Sequence, residues 1–154
     1  MGPHATAKRD SEKAMISWDL CKPEDRAIGF DVSHWQPSDS FRECRRAGIE
    51  WGIIKMWHGR YEMGSNVDQI ESAEQEGISF GAYAWLLPDT SLDLQIGAWC
   101  HRPSAGTIPL TIDFEEPSTS LRGRKLVSIL ERVVEACSDR MGYRPIVYTC
   151  NGYW

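Results

Sequence analysis

The chain has 154 residues, 42% hydrophobic and 25% charged, with a formal net charge of −5, the range of an ordinary globular domain with room for a sizeable core. An acidic chain without long Lys/Arg runs offers no basic face to phosphate backbones, which excludes nucleic acid as an expected partner. No stretch nears the roughly 20 apolar residues that a membrane-spanning helix needs, and the N-terminus carries no apolar run of the signal-peptide kind.

In chain order, residues 1–26 mix charges and small residues without steady periodicity and read as a loosely ordered extension. Met15, Ile16, Trp18 and Leu20 form at most a short docking helix there. From Ala27 the pattern changes, and residues 27–154 read as one domain. Strand-like runs at Ile28–Ser33, Trp51–Trp57, Ile78–Trp85, Ile108–Phe114 and Pro145–Thr149 alternate with helical segments at Ser38–Ala47, Asn66–Glu76, Ser91–His101 and Ser118–Arg140. Gly48, Gly77 and Gly142 follow helix ends, where left-handed caps are expected. Alternation of strand and helix predicts an α/β fold with a parallel sheet. A doubly wound sheet and a (β/α) barrel both satisfy that pattern, but no Gly-rich phosphate loop follows any strand, which favours the barrel. The sequence stops just after a strand, where the next helix is expected, so it reads as truncated.

The five cysteines are widely spaced and include no C-x-x-C pair, so they predict reduced thiols rather than a zinc knuckle or a disulfide framework. His34, His58 and His101 fit no metal-ligand spacing either.

The segment Ile108-Pro-Leu-Thr-Ile-Asp-Phe-Glu-Glu116 ends an apolar strand in alternating carboxylates, which puts Asp113 and Glu115 on one strand face. Inward carboxylates at the C-terminal end of a barrel strand suit glycoside hydrolysis, which needs one protonated carboxyl and one charged one. The same residues also suit the start of a following helix, and local sequence weighs the two readings equally. A second strand, Ile28–Ser33, carries Asp31 and runs into His34, Trp35 and Gln36. An indole with amide and carboxylate neighbours fits a sugar site.

GFDVSHWQ at Gly29 to Gln36 resembles the opening motif of the glycoside hydrolase family 25 lysozymes. The likeness continues in order through WGIIK (Trp51 to Lys55), GAY (Gly81 to Tyr83), PLTIDFE (Pro109 to Glu115) and RPIVYT (Arg144 to Thr149). The resemblance implies a TIM-like (β/α) barrel of five α/β units followed by three strands, of which this chain holds the front portion. It implies cleavage of the β-1,4 bond between N-acetylmuramic acid and N-acetylglucosamine in peptidoglycan, without a cofactor. Glu115 matches the family's general acid, and Asp113 and Asp31 match carboxylates of the same site. Like charges around Glu115 are expected to raise its pKa. Substrate contacts are expected from Tyr83, Tyr148, Trp35, Lys55 and His58.

Two positions depart from the family pattern: His58 stands where a Glu is common, and Ala84 stands where the third motif usually has His. The resemblance implies action at the cell wall, on glycan strands; hydropathy predicts no membrane partner, and an unpaired edge strand predicts self-association near Ile146 and Tyr148. The competing reading is an inactive sugar-binding or structural module that kept the front of the fold.

Overall fold

The computed structural model describes residues 27–37, 40–101, 106–150 and Tyr153. The expected extension over residues 1–26, with its docking helix, lies outside the described residues. Six strands form one sheet: β1 (Gly29–Val32), β2 (Trp51–His58), β3 (Tyr61–Glu62), β4 (Ser79–Trp85), β5 (Thr111–Asp113) and β6 (Ile146–Tyr148). Five are parallel in the order β1-β2-β4-β5-β6, and the short β3 folds back antiparallel on β2. Helices α1 (Ser40–Arg46), α2 (Val67–Gln75), α3 (Leu92–His101) and α4 (Arg124–Met141) link the parallel strands. Spatial order equal to chain order is what successive helical crossovers produce. Asp31 of β1 and Tyr148 of β6, on the two edge strands, line a common cleft, so the sheet curls into a half-barrel.

Alternation along each strand divides the side chains between two faces. Val32, Ile54, Phe80, Ala82, Ala84 and Ile112 face the helices, where they meet Phe41, Ala73, Ile96, Trp99, Leu126, Val133 and Cys137 in one buried core. Phe30 packs edge-on against Phe41 of α1 with ring centroids 5.2 Å apart. Asp31, Ile53, Tyr83, Trp85, Thr111 and Asp113 face the concave side. Gly29 must lack a side chain, because a Cβ there would come 2.0 Å from Cε2 of the Trp51 indole.

β2 changes phase part-way. Lys55 pairs with Tyr83, but Trp57 pairs with Ala84 and His58 with Trp85, so Met56 is the extra residue of a β-bulge. Met56 and Trp57 are therefore both buried, and His58 comes round beside Trp85. Lys55 and His58, three residues apart, would face opposite ways on a regular strand. The bulge puts both beside Trp85.

The five expected strands and four helices are present, with shifted ends. Strand β5 is shorter than Ile108–Phe114, although Ile108 N–H still bonds Phe80 O at 3.1 Å and Phe114 N–H bonds Tyr148 O at 2.9 Å. Helix α4 begins at Arg124 rather than Ser118. Side chains capture the intervening amides: Ser118 N–H donates to Glu116 Oε1 at 3.0 Å and Leu121 N–H to Thr119 Oγ1 at 3.1 Å, which competes with helix initiation. The β2–β3 hairpin was not expected. Its two-residue turn uses Gly59 at φ +57°, and Trp99 of α3 donates its indole N–H to Gly59 O at 2.8 Å in the buried interior.

That bond ties hairpin to helix, and Trp99→Phe tests it. The change should destabilise the chain by about 2–3 kcal/mol in urea unfolding, through an orphaned carbonyl and lost volume. A loss below about 0.5 kcal/mol would show that the hairpin does not depend on this contact.

Candidate active site

The concave face of the half-barrel holds a cleft of about 390 Å³, lined by Gly29, Phe30, Asp31, Trp51, Ile53, Tyr83, Trp85, Thr111, Asp113, Glu115 and Tyr148. Such a volume suits a small ligand or a sugar unit. Asp31 projects from β1 and Asp113 from the end of β5, and Glu115 follows two residues later on the same face. The sequence left open whether Asp113 and Glu115 only start a helix. No helix begins until Arg124, and both carboxyls line the cleft.

Asp113 is 7% exposed, and its Oδ1 has no hydrogen-bond partner among the described residues. Burial pushes its carboxyl up to about 7, helped by the charges of Glu115 and Asp31 and opposed by Lys55. Near neutral pH the Asp113 site is therefore shared between its acid and carboxylate forms. Tyr83 is buried at the cleft wall, where burial and then the charges of Asp113, Asp31 and Glu115 push its phenol up, so it stays a neutral hydrogen-bonding group. Tyr148, exposed on β6, is also raised, chiefly by Glu115.

Lys55 extends its ammonium to 4.7 Å from the Trp85 ring centroid and 5.7 Å from that of Tyr83. Burial lowers its pKa, and attraction to Asp113 and Glu116 works against that shift. His58 lies nearly parallel to Trp85, with centroids 6.1 Å apart. Partial burial and then Lys55 lower its pKa, so it is neutral at pH 7.

These observations match a known family. The model for glycosyl hydrolases family 25 matches residues 30–154. The chain belongs to that family. It is 30% identical over 139 residues to an N,O-diacetylmuramidase of Arthroderma benhamiae, an alignment covering 82% of this chain and 58% of that protein. The chain thus spans less than two thirds of this curated relative. Among solved structures, a muramidase from Trichobolus zukalii superposes with a TM-score of 0.75 at 26% identity, and one from Acremonium alcalophilum with 0.74 at 25%. Each superposition covers 84% of this chain and 68% of the other.

Within this family 25 chain, the cleft gathers Asp31, Asp113, Glu115, Tyr83 and Tyr148, with Lys55 and His58 against its Trp85 wall. Trp35 does not join them. It is 80% exposed on the loop after β1 and packs on His34 with centroids 4.2 Å apart. Gln36, whose amide suited a sugar contact in the sequence, instead accepts the Ser33 N–H at 2.8 Å and closes that loop. The departure at Ala84 removes no cleft contact, because Ala84 is fully buried on the helix side.

Sequence reasoning missed Trp85, Trp51 and Thr111 as cleft residues, and Glu116 as the partner of Trp85. Strand phase carried the signal: Trp85 is two residues beyond Tyr83, and Thr111 two before Asp113. Thr111 Oγ1 and, two residues on along the same strand face, Asp113 Oδ1 are both buried without a partner among the described residues.

The raised Asp113 pKa makes stability depend on pH. The folded chain holds this proton to about pH 7, while the ordinary value is 3.8. The stabilising contribution is therefore complete below about pH 4 and is lost as pH rises through 7. Asp113→Asn removes that loss, so the variant should exceed the parent by roughly 2–4 kcal/mol at pH 8 and match it near pH 4. Urea unfolding across that range checks this, and a pH-independent difference would contradict the assignment.

Proposed function

We propose that the domain hydrolyses the β-1,4 bond between N-acetylmuramic acid and N-acetylglucosamine in peptidoglycan. The observation that carries this reading is the meeting of Asp31, Asp113 and Glu115 in one cleft on the concave face of a family 25 fold. In this reading Glu115 gives its proton to the glycosidic oxygen as the bond to the anomeric carbon breaks. Asp113 and Asp31 face the positive charge that develops on the sugar, and water finally supplies the hydroxyl at the anomeric carbon while its other proton returns to the Glu115 carboxylate. Tyr83 and Tyr148 offer neutral hydroxyls, and the Trp85 indole offers a flat apolar wall to a pyranose.

The same reading extends to the whole protein. Residues 27–154 are the front of a complete (β/α) barrel, residues 1–26 an extension outside it, and the glycan strands of the cell wall the partner. Ile146, Val147 and Tyr148 leave an exposed apolar edge on β6, which we read as an association surface for further strands or a second copy.

The test is release of reducing ends from cell-wall peptidoglycan. Glu115→Gln preserves size and removes the proton donor, so the rate should fall about 10²–10⁴-fold while glycan binding persists. A parent protein that binds peptidoglycan and releases no reducing ends would overturn the enzyme reading in favour of a binding module.

A further inference from the structure

Glu116 stands next to Glu115 in sequence but does a different job. It does not line the cleft, and both of its carboxylate oxygens are engaged. Oε2 accepts the Trp85 indole N–H at 2.8 Å, and Oε1 accepts the Ser118 backbone N–H at 3.0 Å as well as the Ser118 hydroxyl. A carboxylate pinned from both ends is not free to move a proton. It is well placed to hold what it binds.

What it binds is the wall of the cleft. Trp85 lies at the end of β4, between His58 on β2 and Asp113 on β5. The terminal torsion of an indole is broad, so strand position alone does not fix the plane of the ring. Here Glu116 fixes its N–H edge, while the Lys55 ammonium and the His58 ring bear on the ring itself. A bond to an ionised acceptor is about twice as strong as a neutral one.

We propose that Glu116 is a positioning residue for sugar binding: it locks the Trp85 indole in the orientation that forms the carbohydrate-facing wall. This rests on the glycan-hydrolase reading of the cleft. Partial burial pushes the Glu116 carboxyl up, but the bonds from Ser118 and Trp85 outweigh that and hold it below the ordinary value. The anchor therefore stays charged throughout the neutral range.

The test compares the parent protein with Glu116→Ala, Glu116→Gln, Trp85→Phe and the Glu116→Ala/Trp85→Phe double variant. Kinetics on peptidoglycan are measured together with the indole N–H resonance of Trp85, assigned by its absence in Trp85→Phe. Glu116→Ala should raise KM about tenfold and leave kcat within about twofold, because binding is lost and proton transfer is not. Glu116→Gln should lose less than Glu116→Ala, since its amide oxygen still accepts the indole N–H although its NH2 cannot accept the Ser118 N–H. The double variant should be no worse than Trp85→Phe alone, as expected for two residues acting through one ring.

A loss confined to kcat, or losses that multiply in the double variant, would overturn the proposal. If the parent shows no turnover, the hydrolase reading fails by itself, and the resonance then decides the anchor. A Trp85 signal displaced in Glu116→Ala and restored in Glu116→Gln supports it, and an unmoved signal refutes it.

Discussion

A β-strand presents alternate residues to opposite faces, and in this chain the two faces have opposite chemistry. The convex face supplies Val32, Ile54, Ala82, Ala84 and Ile112 to an apolar layer under the helices, while the concave face supplies Asp31, Tyr83, Thr111 and Asp113 to the cleft. A slip of one residue in β1 or β5 would bury a carboxylate against the helices and turn aliphatic side chains into the cleft. Phase is therefore the constraint on which both core and site depend. β2 obeys it as far as Lys55, then uses Met56 to reset it.

Curvature makes the cleft, and with it the electrostatics. A flat sheet would leave Asp113 open to water. The curled one buries it in the cleft, between its cross-strand partners Trp85 and Tyr148, and loss of water raises its pKa more than any neighbouring charge does. Lys55 experiences the opposite balance, since burial disfavours its charge and the carboxylates favour it. Ammonium and carboxyls thus share one partly dry volume, in which a proton on Asp113 is nearly as stable as one in neutral water. Poised protonation of this kind is common where bonds are made and broken.

Much of this was legible in the sequence because it follows from periodicity and from ordered motifs. The five strands, the four helices and the left-handed Gly48, Gly77 and Gly142 follow from spacing and composition. Asp31 lies near the C-terminal end of β1, Asp113 at that of β5 and Glu115 just beyond it, on the side where parallel strands all end together. What was illegible depends on contacts between distant residues. No local pattern marks Met56 as a bulge, because a bulge is defined against Tyr83 and Ala84 on the next strand. Nothing local marks Asp113 for a raised pKa, because its burial comes from the curl of the whole sheet. Trp35 looked like a sugar platform through its neighbours in sequence. The loop carries it outward instead, and Trp85, hidden in an apolar strand, lines the cleft.

A side chain from elsewhere grips the loop after β1 at both ends. Gln69, buried on α2, donates its amide to Ser33 O at 2.8 Å and to Gln36 O at 2.7 Å. Both acceptors are main-chain carbonyls, which every amino acid supplies. The grip is therefore indifferent to the side chains at His34 and Trp35 and sensitive only to how many residues separate the two carbonyls. This loop can diverge in letters while resisting insertion or deletion, so a graft that keeps its length and exchanges its exposed ring preserves the clamp, and one that lengthens it by a single residue does not.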